Sequence, residues 1–178
     1  MKDLLEYFKK LPKIYYYLAG GGLAVGLIIS LSTAVMIHAT ADAEFCSSCH
    51  AMKPIKMAYD GDVHGGNNAF GIRATCAQCH IPHDSTLKYL WVKQMSGISD
   101  TFKNSSKTDW EENSKRRAEF VYDSGCLECH TRLTDSPKMA QWKKDIHKKY
   151  FMYKDDNKNF RCVNCHQHVG HKDLIQHT

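Results

Sequence analysis

All eight cysteines of this chain fall in pairs of one form, Cys46/Cys49, Cys76/Cys79, Cys126/Cys129 and Cys162/Cys165, and each pair runs directly into a histidine: His50, His80, His130 and His166. Histidine is 11 of 178 residues, so four independent coincidences have a probability on the order of 10⁻⁵. Zinc knuckles and disulfide frameworks also use CxxC pairs, but neither accounts for the four histidines. The spacing fits covalent c-type haem. Two thioether bonds reach the two vinyl groups on one edge of the porphyrin, and the next residue then lies under the iron. Attachment of this kind takes place outside the cytoplasm.

The length suits one domain, or one small domain with an appendage. Residues 14–37, IYYYLAGGGLAVGLIISLSTAVMI, carry no charge. At 1.5 Å per residue this run spans about 36 Å, enough to cross a hydrocarbon core of ~30 Å. Lys2, Lys9, Lys10 and Lys13 precede it and Asp42 and Glu44 follow, so the positive-inside rule puts the N-terminus in the cytoplasm and every CxxCH site on the opposite side. Tyr15, Tyr16 and Tyr17 then sit at the inner interface. Ala39-Thr40-Ala41 and Ala41-Asp42-Ala43 have the small-residue character of a signal-peptide cleavage site, but the apolar run exceeds a signal h-region of roughly 7–15 residues, which favours a retained anchor. The expected organisation is a cytoplasmic N-terminus over 1–13, a transmembrane anchor over 14–37, and a tetrahaem cytochrome c domain over 38–178.

Four haems on ~140 residues leave roughly 35 residues each, too few for an ordinary core. The porphyrins must be the core. The expected fold is mostly α with much irregular structure, little strand, and short helices entering or leaving the haem sites. The first cysteines lie 30, 50 and 36 residues apart, an irregular spacing that predicts a wrapped cluster rather than a linear repeat array. The longest gap, 81–125, has room for two helices. In 86–102, Leu87, Leu90, Trp91, Ile98 and Phe102 form one helical stripe, with Asp84 or Ser85 as N-cap. Lys93, Gly97 and Asp100 share a second face, which on residue type alone is the solvated polar side of an amphipathic helix. A scaffolding helix is expected over Asp109 to Tyr122, helical character over 138–151, and a polar loop over 153–161. The net charge of +5 is a poor guide to the surface, because the haem propionates offset it. No basic-aromatic pattern points to nucleic acid.

Four irons have eight axial positions, and the CxxCH histidines nominally fill one on each. Seven histidines remain: His38, His64, His83, His147, His168, His171 and His177. His38 lies at the membrane end of the anchor and His177 beside the C-terminus, so both are poor candidates. The other five can be distal ligands or surface and propionate-bonding histidines. That arithmetic leaves room for one haem without a second imidazole, and Met52 stands two residues past His50. Thioether sulfur ligates haem iron and raises its potential, although a methionine near a haem is more often packing. Whether His50 or Met52 holds the first iron stays open on the residues alone.

Taken in order, the anchor, CSSCH, HGG shortly before CAQCH, CHIPH, the K-x3-G-x2-D face, CLECH and CVNCHQHVGH resemble the NapC/NirT/NrfH family of membrane-anchored tetrahaem quinol dehydrogenases over nearly the whole chain. The resemblance implies that His64 is the distal ligand of the fourth haem with His166, His171 that of the third with His130, and His147 that of the second with His80. His83 and His168 are then not ligands. In the NrfH branch a lysine of the partner reductase takes the second-haem position, so His147 favours a NapC-like protein. CSSCHAM, however, is similar to the NrfH-type first site, where the methionine takes the iron and the histidine is displaced. By that likeness Met52 binds the first iron in place of His50. CymA-like members lack this methionine, so the chain mixes features of both branches.

The resemblance further implies a protein of the bacterial inner membrane with its haem domain in the periplasm. It would oxidise menaquinol or another quinol beside the first haem, in a pocket lined by Lys93 and Asp100. Electrons would pass through the four haems to a periplasmic terminal reductase, for nitrate or similar, or to a soluble cytochrome, within a homo-oligomer or a hetero-complex. An NrfH-type subunit feeding a nitrite reductase is the nearest alternative. A multihaem terminal reductase would need a catalytic haem site such as CxxCK, and none is present. A passive electron shuttle would not oxidise quinol directly.

Overall fold

The uncharged stretch forms a single helix, α1 (Lys13–Ala39), of 27 residues. At 1.5 Å per residue it is about 40 Å long. In this computed structural model the described residues are 12–103, 109–156 and 160–177. Lys2, Lys9, Lys10 and the middle of the 153–161 loop lie outside them. α1 begins one residue before the expected span and ends two after it. None of its residues is buried, as suits a helix that presents apolar side chains all round. Thr33 returns its hydroxyl to the Ile29 carbonyl at 2.8 Å, which keeps that polar group inside the helix. The chain divides after Thr40 into two units, and the second, Ala41–Thr178, carries every CxxCH site.

That unit consists of short helices: α2 (Ala43–Cys46), a 3₁₀ turn (His50–Met52), α3 (Lys53–Asp60), α4 (Cys76–His80), α5 (Thr86–Lys103), α6 (Trp110–Lys115), α7 (Arg117–Phe120), α8 (Asp123–Cys129), α9 (Gln141–Tyr153), α10 (Cys162–Cys165) and a 3₁₀ turn (Leu174–His177). Among the described residues there is no strand, only one isolated antiparallel bridge between Gly65 and Arg73. Among the described residues the buried apolar side chains are few: Ala43, Ala58, Tyr59, Ala77, Ile81, Pro82, Tyr150 and Val163. Such a set is far smaller than the ordinary core of a domain this size.

Three attachment sites are built alike. α4, α8 and α10 each carry their two cysteines within one short helix, which puts residues three apart on one face. The CxxCH histidine closes α4, and at the other two it caps the helix, with His130 N–H donating to Cys126 O and His166 N–H to Cys162 O, both at 2.9 Å. Thr75 and Gln78 start α4 with a reciprocal capping box. The first site differs. α2 ends at Cys46, and Cys49 precedes the 3₁₀ turn that holds His50 and Met52.

Two glycines mark close backbone approaches. A Cβ on Gly65 would lie 1.8 Å from the Tyr59 carbonyl oxygen, which explains the HGG next to His64. A Cβ on Gly125 would lie 1.6 Å from the Gln78 carbonyl oxygen, so α8 rests directly on α4.

The connecting helices depart from expectation in three places. The helix expected over Asp109 to Tyr122 is broken at Arg116, where the chain turns through Arg116 N–H to Asn113 O at 3.1 Å. Asp109 is its cap, accepting from Glu112 N–H at 2.9 Å. α9 starts at Gln141 and runs to Tyr153, displaced toward the C-terminus from 138–151. α5 falls where expected, and Tyr89 N–H donates to Ser85 O at 2.8 Å, which makes Ser85 the N-cap. Its orientation is reversed: Tyr89, Val92, Lys93, Ser96 and Ser99 are half-buried, whereas Leu87, Trp91, Ile98 and Phe102 are exposed.

Replacing Gly125 with alanine forces α8 off α4. A loss of about 1–3 kcal/mol is expected from such overpacking, measured as a lower melting temperature of the holoprotein by circular dichroism; an unchanged melting temperature would show that the two helices do not touch there.

Candidate functional site

Six histidines face one another in three pairs. The ring centroids of His80 and His171 are 6.0 Å apart, those of His64 and His130 are 6.2 Å apart, and those of His147 and His166 are 6.3 Å apart. Two imidazoles bound to opposite faces of one metal, each at about 2.0 Å with its ring centre roughly 1.2 Å behind the bonding nitrogen, have centroids about 6.4 Å apart. The three pairs therefore fit a six-coordinate haem iron. The rings of His147 and His166 are nearly parallel, at 5°, whereas those of His64 and His130 are inclined by 56°.

Ring tautomers agree with this use. His64 Nδ1 lies 3.1 Å from the buried Asp62 carboxylate, which also accepts the His64 backbone N–H at 2.8 Å. His80 Nδ1 lies 2.8 Å from the Phe120 carbonyl. A protonated Nδ1 held by an acceptor leaves Nε2 as the metal-binding lone pair. Burial pushes the His171 imidazole down to about 4, helped by the neighbouring His80, and burial also lowers His80 and His130. Neutral imidazoles are what metal ligation requires.

The pairs differ from the couples that the family likeness implies. His64 faces His130 rather than His166, His171 faces His80 rather than His130, and His147 faces His166 rather than His80. The cause is the path of the chain. The HGG turn carries His64 toward α8, and the segment after α10 doubles back so that His171 comes up beside α3, close to Ile55. Among the described residues no second imidazole faces His83. Its Nδ1 lies 2.8 Å from Glu128 Oε1 and its Nε2 3.3 Å from Ala77 O, so it clamps α8 to α4.

The attachment points adjoin in sequence order. The Cys46 thiol lies beside that of Cys76, and the Cys126 thiol beside that of Cys162. Covalent haem would convert these four thiols to thioethers, so the approaches matter as positions: the first site borders the second, and the third borders the fourth. The α4–α8 contact at Gly125 joins the two halves. Asp123 locks the last junction, accepting from Tyr150 O–H at 3.0 Å and Cys162 N–H at 3.3 Å and pairing with Arg161 Nε at 3.2 Å. Arg161 also donates to Val121 O at 2.6 Å.

Around the first site the arrangement changes. Among the described residues no second imidazole faces His50, which is exposed, while Met52 is half-buried. Two charges of α5 act on this site instead. Lys93 and Asp100 both act electrostatically on the Cys46 thiol, in opposite senses, and Asp100 also reaches His80. Burial lowers the Lys93 ammonium, against the opposing pull of Cys46 and Asp42, and its Nζ stands 5.9 Å from the Tyr89 ring centre. Sequence reasoning read these two charges as a solvated face until the family likeness singled them out. Asp62, Asp123 and Tyr150 gave no sequence signal, since a buried carboxylate declares itself only through its partners.

A strand-poor helical domain with four CxxCH sites and imidazoles paired at iron-spanning distances defines a multihaem c-type cytochrome of electron transport, carrying covalent haem c. The chain belongs to the NapC/NirT cytochrome c family, whose N-terminal-region model matches residues 9–176. Its apolar α1 is the membrane anchor of that family. The tetraheme c-type cytochrome CymA of Shewanella oneidensis is 30% identical over 163 residues, covering 84% of this chain and 86% of CymA. The cytochrome c-type protein TorC of Escherichia coli K12 is 28% identical over 165 residues, and there the match covers 84% of this chain but 41% of TorC. The fold resembles a chain in the crystal structure of the cytochrome c nitrite reductase NrfHA complex bound to the HQNO inhibitor, with a TM-score of 0.55 at 23% identity, over 87% of this chain and 90% of that one.

Replacing Asp123 with alanine leaves Tyr150 and the Cys162 N–H without their acceptor and Arg161 without its counter-charge. A loss of about 2–4 kcal/mol is expected, read as a lower melting temperature; a variant as stable as the parent would remove Asp123 from the junction.

Proposed function

We propose that this protein is a membrane-anchored tetrahaem quinol dehydrogenase, NapC-like, with its haem domain in the periplasm of a bacterial inner membrane. Electrons would leave for a periplasmic reductase or a soluble cytochrome. The observation that carries this reading is that Lys93 and Asp100, from one face of α5, both act electrostatically on Cys46 of the first CxxCH site, the one attachment site without a paired imidazole among the described residues. His80, His130 and His166, with His171, His64 and His147 opposite, would hold three of the irons, and Met52 the first in place of His50. Bound there, c-type haem supplies one-electron acceptors with potentials set by axial ligand and surroundings.

Oxidation of a hydroquinone to a quinone releases two electrons and two protons, so the pocket must orient the ring and take up protons. Lys93 is suited to hydrogen-bond one quinol oxygen through Nζ, because burial already disfavours its extra proton. Asp100 is exposed, so its carboxylate can accept a proton and return it to water. Gly97 presents no side chain between them, and a Cβ there would meet nothing within 4 Å. The membrane supplies the quinol; menaquinol is the species the family likeness implies.

The NapC-like branch is favoured over an NrfH-type subunit because His171 faces His80. A ligand from this chain then stands where the NrfH branch takes a lysine from its partner reductase.

Asp100→Asn and Lys93→Leu are each expected to reduce menaquinol-analogue-driven haem reduction at least tenfold while leaving haem content and dithionite reduction intact. Normal quinol-driven reduction in both would overturn the assignment, and turnover of nitrite or hydroxylamine without a partner would favour a terminal reductase. Met52→Ala is expected to change the spectrum and lower the potential of one haem of the four. A spectrum and potential identical to the parent's would return the first iron to His50.

A further inference from the structure

The three imidazole pairs differ most in what stands behind their rings. The group that meets Nδ1 decides how much electron density an imidazole can give a metal at Nε2. His64 Nδ1 stands 3.1 Å from Asp62 Oδ1, a carboxylate oxygen that also accepts the His64 backbone N–H at 2.8 Å. His80 Nδ1 stands 2.8 Å from the Phe120 carbonyl, a neutral acceptor. His147 Nδ1 is buried and meets no hydrogen-bond partner among the described residues. A carboxylate, a carbonyl and no acceptor thus back one ring of the third, second and fourth sites respectively.

Asp62 is the unusual member of this set. Among the described residues it is the one buried polar or charged side chain, 5% exposed, and bound haem can only deepen that burial. A carboxylate withdrawn from water needs donors in exchange, and those recorded for Asp62 both belong to His64. The turn that carries it closes without its side chain: the Asp62 carbonyl accepts from Gly65 N–H at 3.0 Å and Asn67 N–H at 3.2 Å. The Asp62 charge is also felt at Cys79 and His171, which belong to the second site. It therefore lies between the second and third pairs, with its hydrogen bond directed to the third.

We propose that Asp62 is a positioning residue that sets a redox potential: by holding His64 Nδ1–H in a charged hydrogen bond, it makes the iron between His64 and His130 the lowest in potential of the three bis-imidazole irons. The sign follows from charge. Ferric iron carries one more positive charge than ferrous, so a more basic imidazole and a fixed negative charge both favour the ferric state. Ranking the sites by acceptor gives third below second below fourth, since hydrogen bonding around the ligands is one of the levers on haem potential. The third site is then the last of these three to take an electron and the first to give it up, a step between the second and the fourth. The inference rests on the pairing of His64 with His130 about one iron, not on quinol oxidation.

The test is a redox titration of the full-length holoprotein and of Asp62→Asn, followed by electron paramagnetic resonance at a single pH. Asparagine keeps an acceptor oxygen and removes the charge. The strongly anisotropic signal of inclined rings, 56° for His64 and His130, is assigned by its loss in His64→Ala. In the parent protein that signal is expected to persist longest on stepwise reduction, after the other bis-imidazole signals. In Asp62→Asn the reduced-to-oxidised ratio of the same iron at a fixed ambient potential should rise about tenfold, which is about 59 mV for a one-electron couple. A smaller rise is expected at the second site, and less than about a twofold change at the fourth. Another bis-imidazole signal outlasting it in the parent, an inclined-ring iron unmoved in Asp62→Asn, or an equal rise at all three sites would overturn the proposal. If Asp62→Asn loses haem or turns high-spin, the order of reduction in the parent decides alone. A parent without a signal that His64→Ala removes would break the pairing itself and this inference with it, whereas a wrong order with the signal present leaves the pairing standing. Quinol oxidation enters neither readout.

Discussion

An iron held between two imidazoles ties its porphyrin to two segments of chain at once, one beside the attachment cysteines and one brought from elsewhere. In this protein the second segments come from far along the chain: His64 lies 66 residues before His130, His171 lies 91 after His80, and His147 lies 19 before His166. The polar joins that also link distant segments, such as His83 to Glu128 and Arg161 to Val121, are single contacts of half-buried or exposed groups. The buried apolar residues described are few, and the helices are mostly a turn or two long, below the length at which a helix is stable alone. A chain with so little apolar core needs cross-links, and the three imidazole pairs, each holding an iron as proposed, would supply them as a metal or a disulfide does in other small domains. The proposed haems are thus both cargo and framework.

Against that background the polar side chains of the domain form a supporting layer. Asp62 fixes the tautomer of His64, the Phe120 carbonyl fixes that of His80, and Asp123 joins the third site to the fourth. His83 clamps α8 to α4 at the junction between the second and third. The four attachment sites consequently adjoin in the order of the sequence.

Much of this was legible in the sequence where covalent chemistry or a strong period fixed it locally. The CxxCH spacing dictates the attachment sites, and an uncharged run dictates the anchor helix, whose ends moved by only one and two residues. The likeness to a family named the six imidazoles that the structure brings face to face, but in other couples. Coupling is a long-range property, decided by where the HGG turn and the segment after α10 travel, and no spacing encodes it. The α5 stripe shows the same limit. Its 3.6-residue period was plain, but a period says which residues share a face and not which way the face points. Here the inward side was set by the charged and small residues that the first site needs.

The central claim, that three imidazole pairs bridge distant parts of the chain, is tested most directly by electron paramagnetic resonance of the oxidised holoprotein and of the single variants His64→Ala, His147→Ala and His171→Ala. The account predicts that each variant converts a different low-spin iron to high spin. His147→Ala should remove a rhombic signal, as nearly parallel imidazoles give, and His64→Ala a strongly anisotropic one from inclined rings. Loss of the parallel-ring signal in His64→Ala, or low-spin spectra unchanged in all three variants, would contradict it.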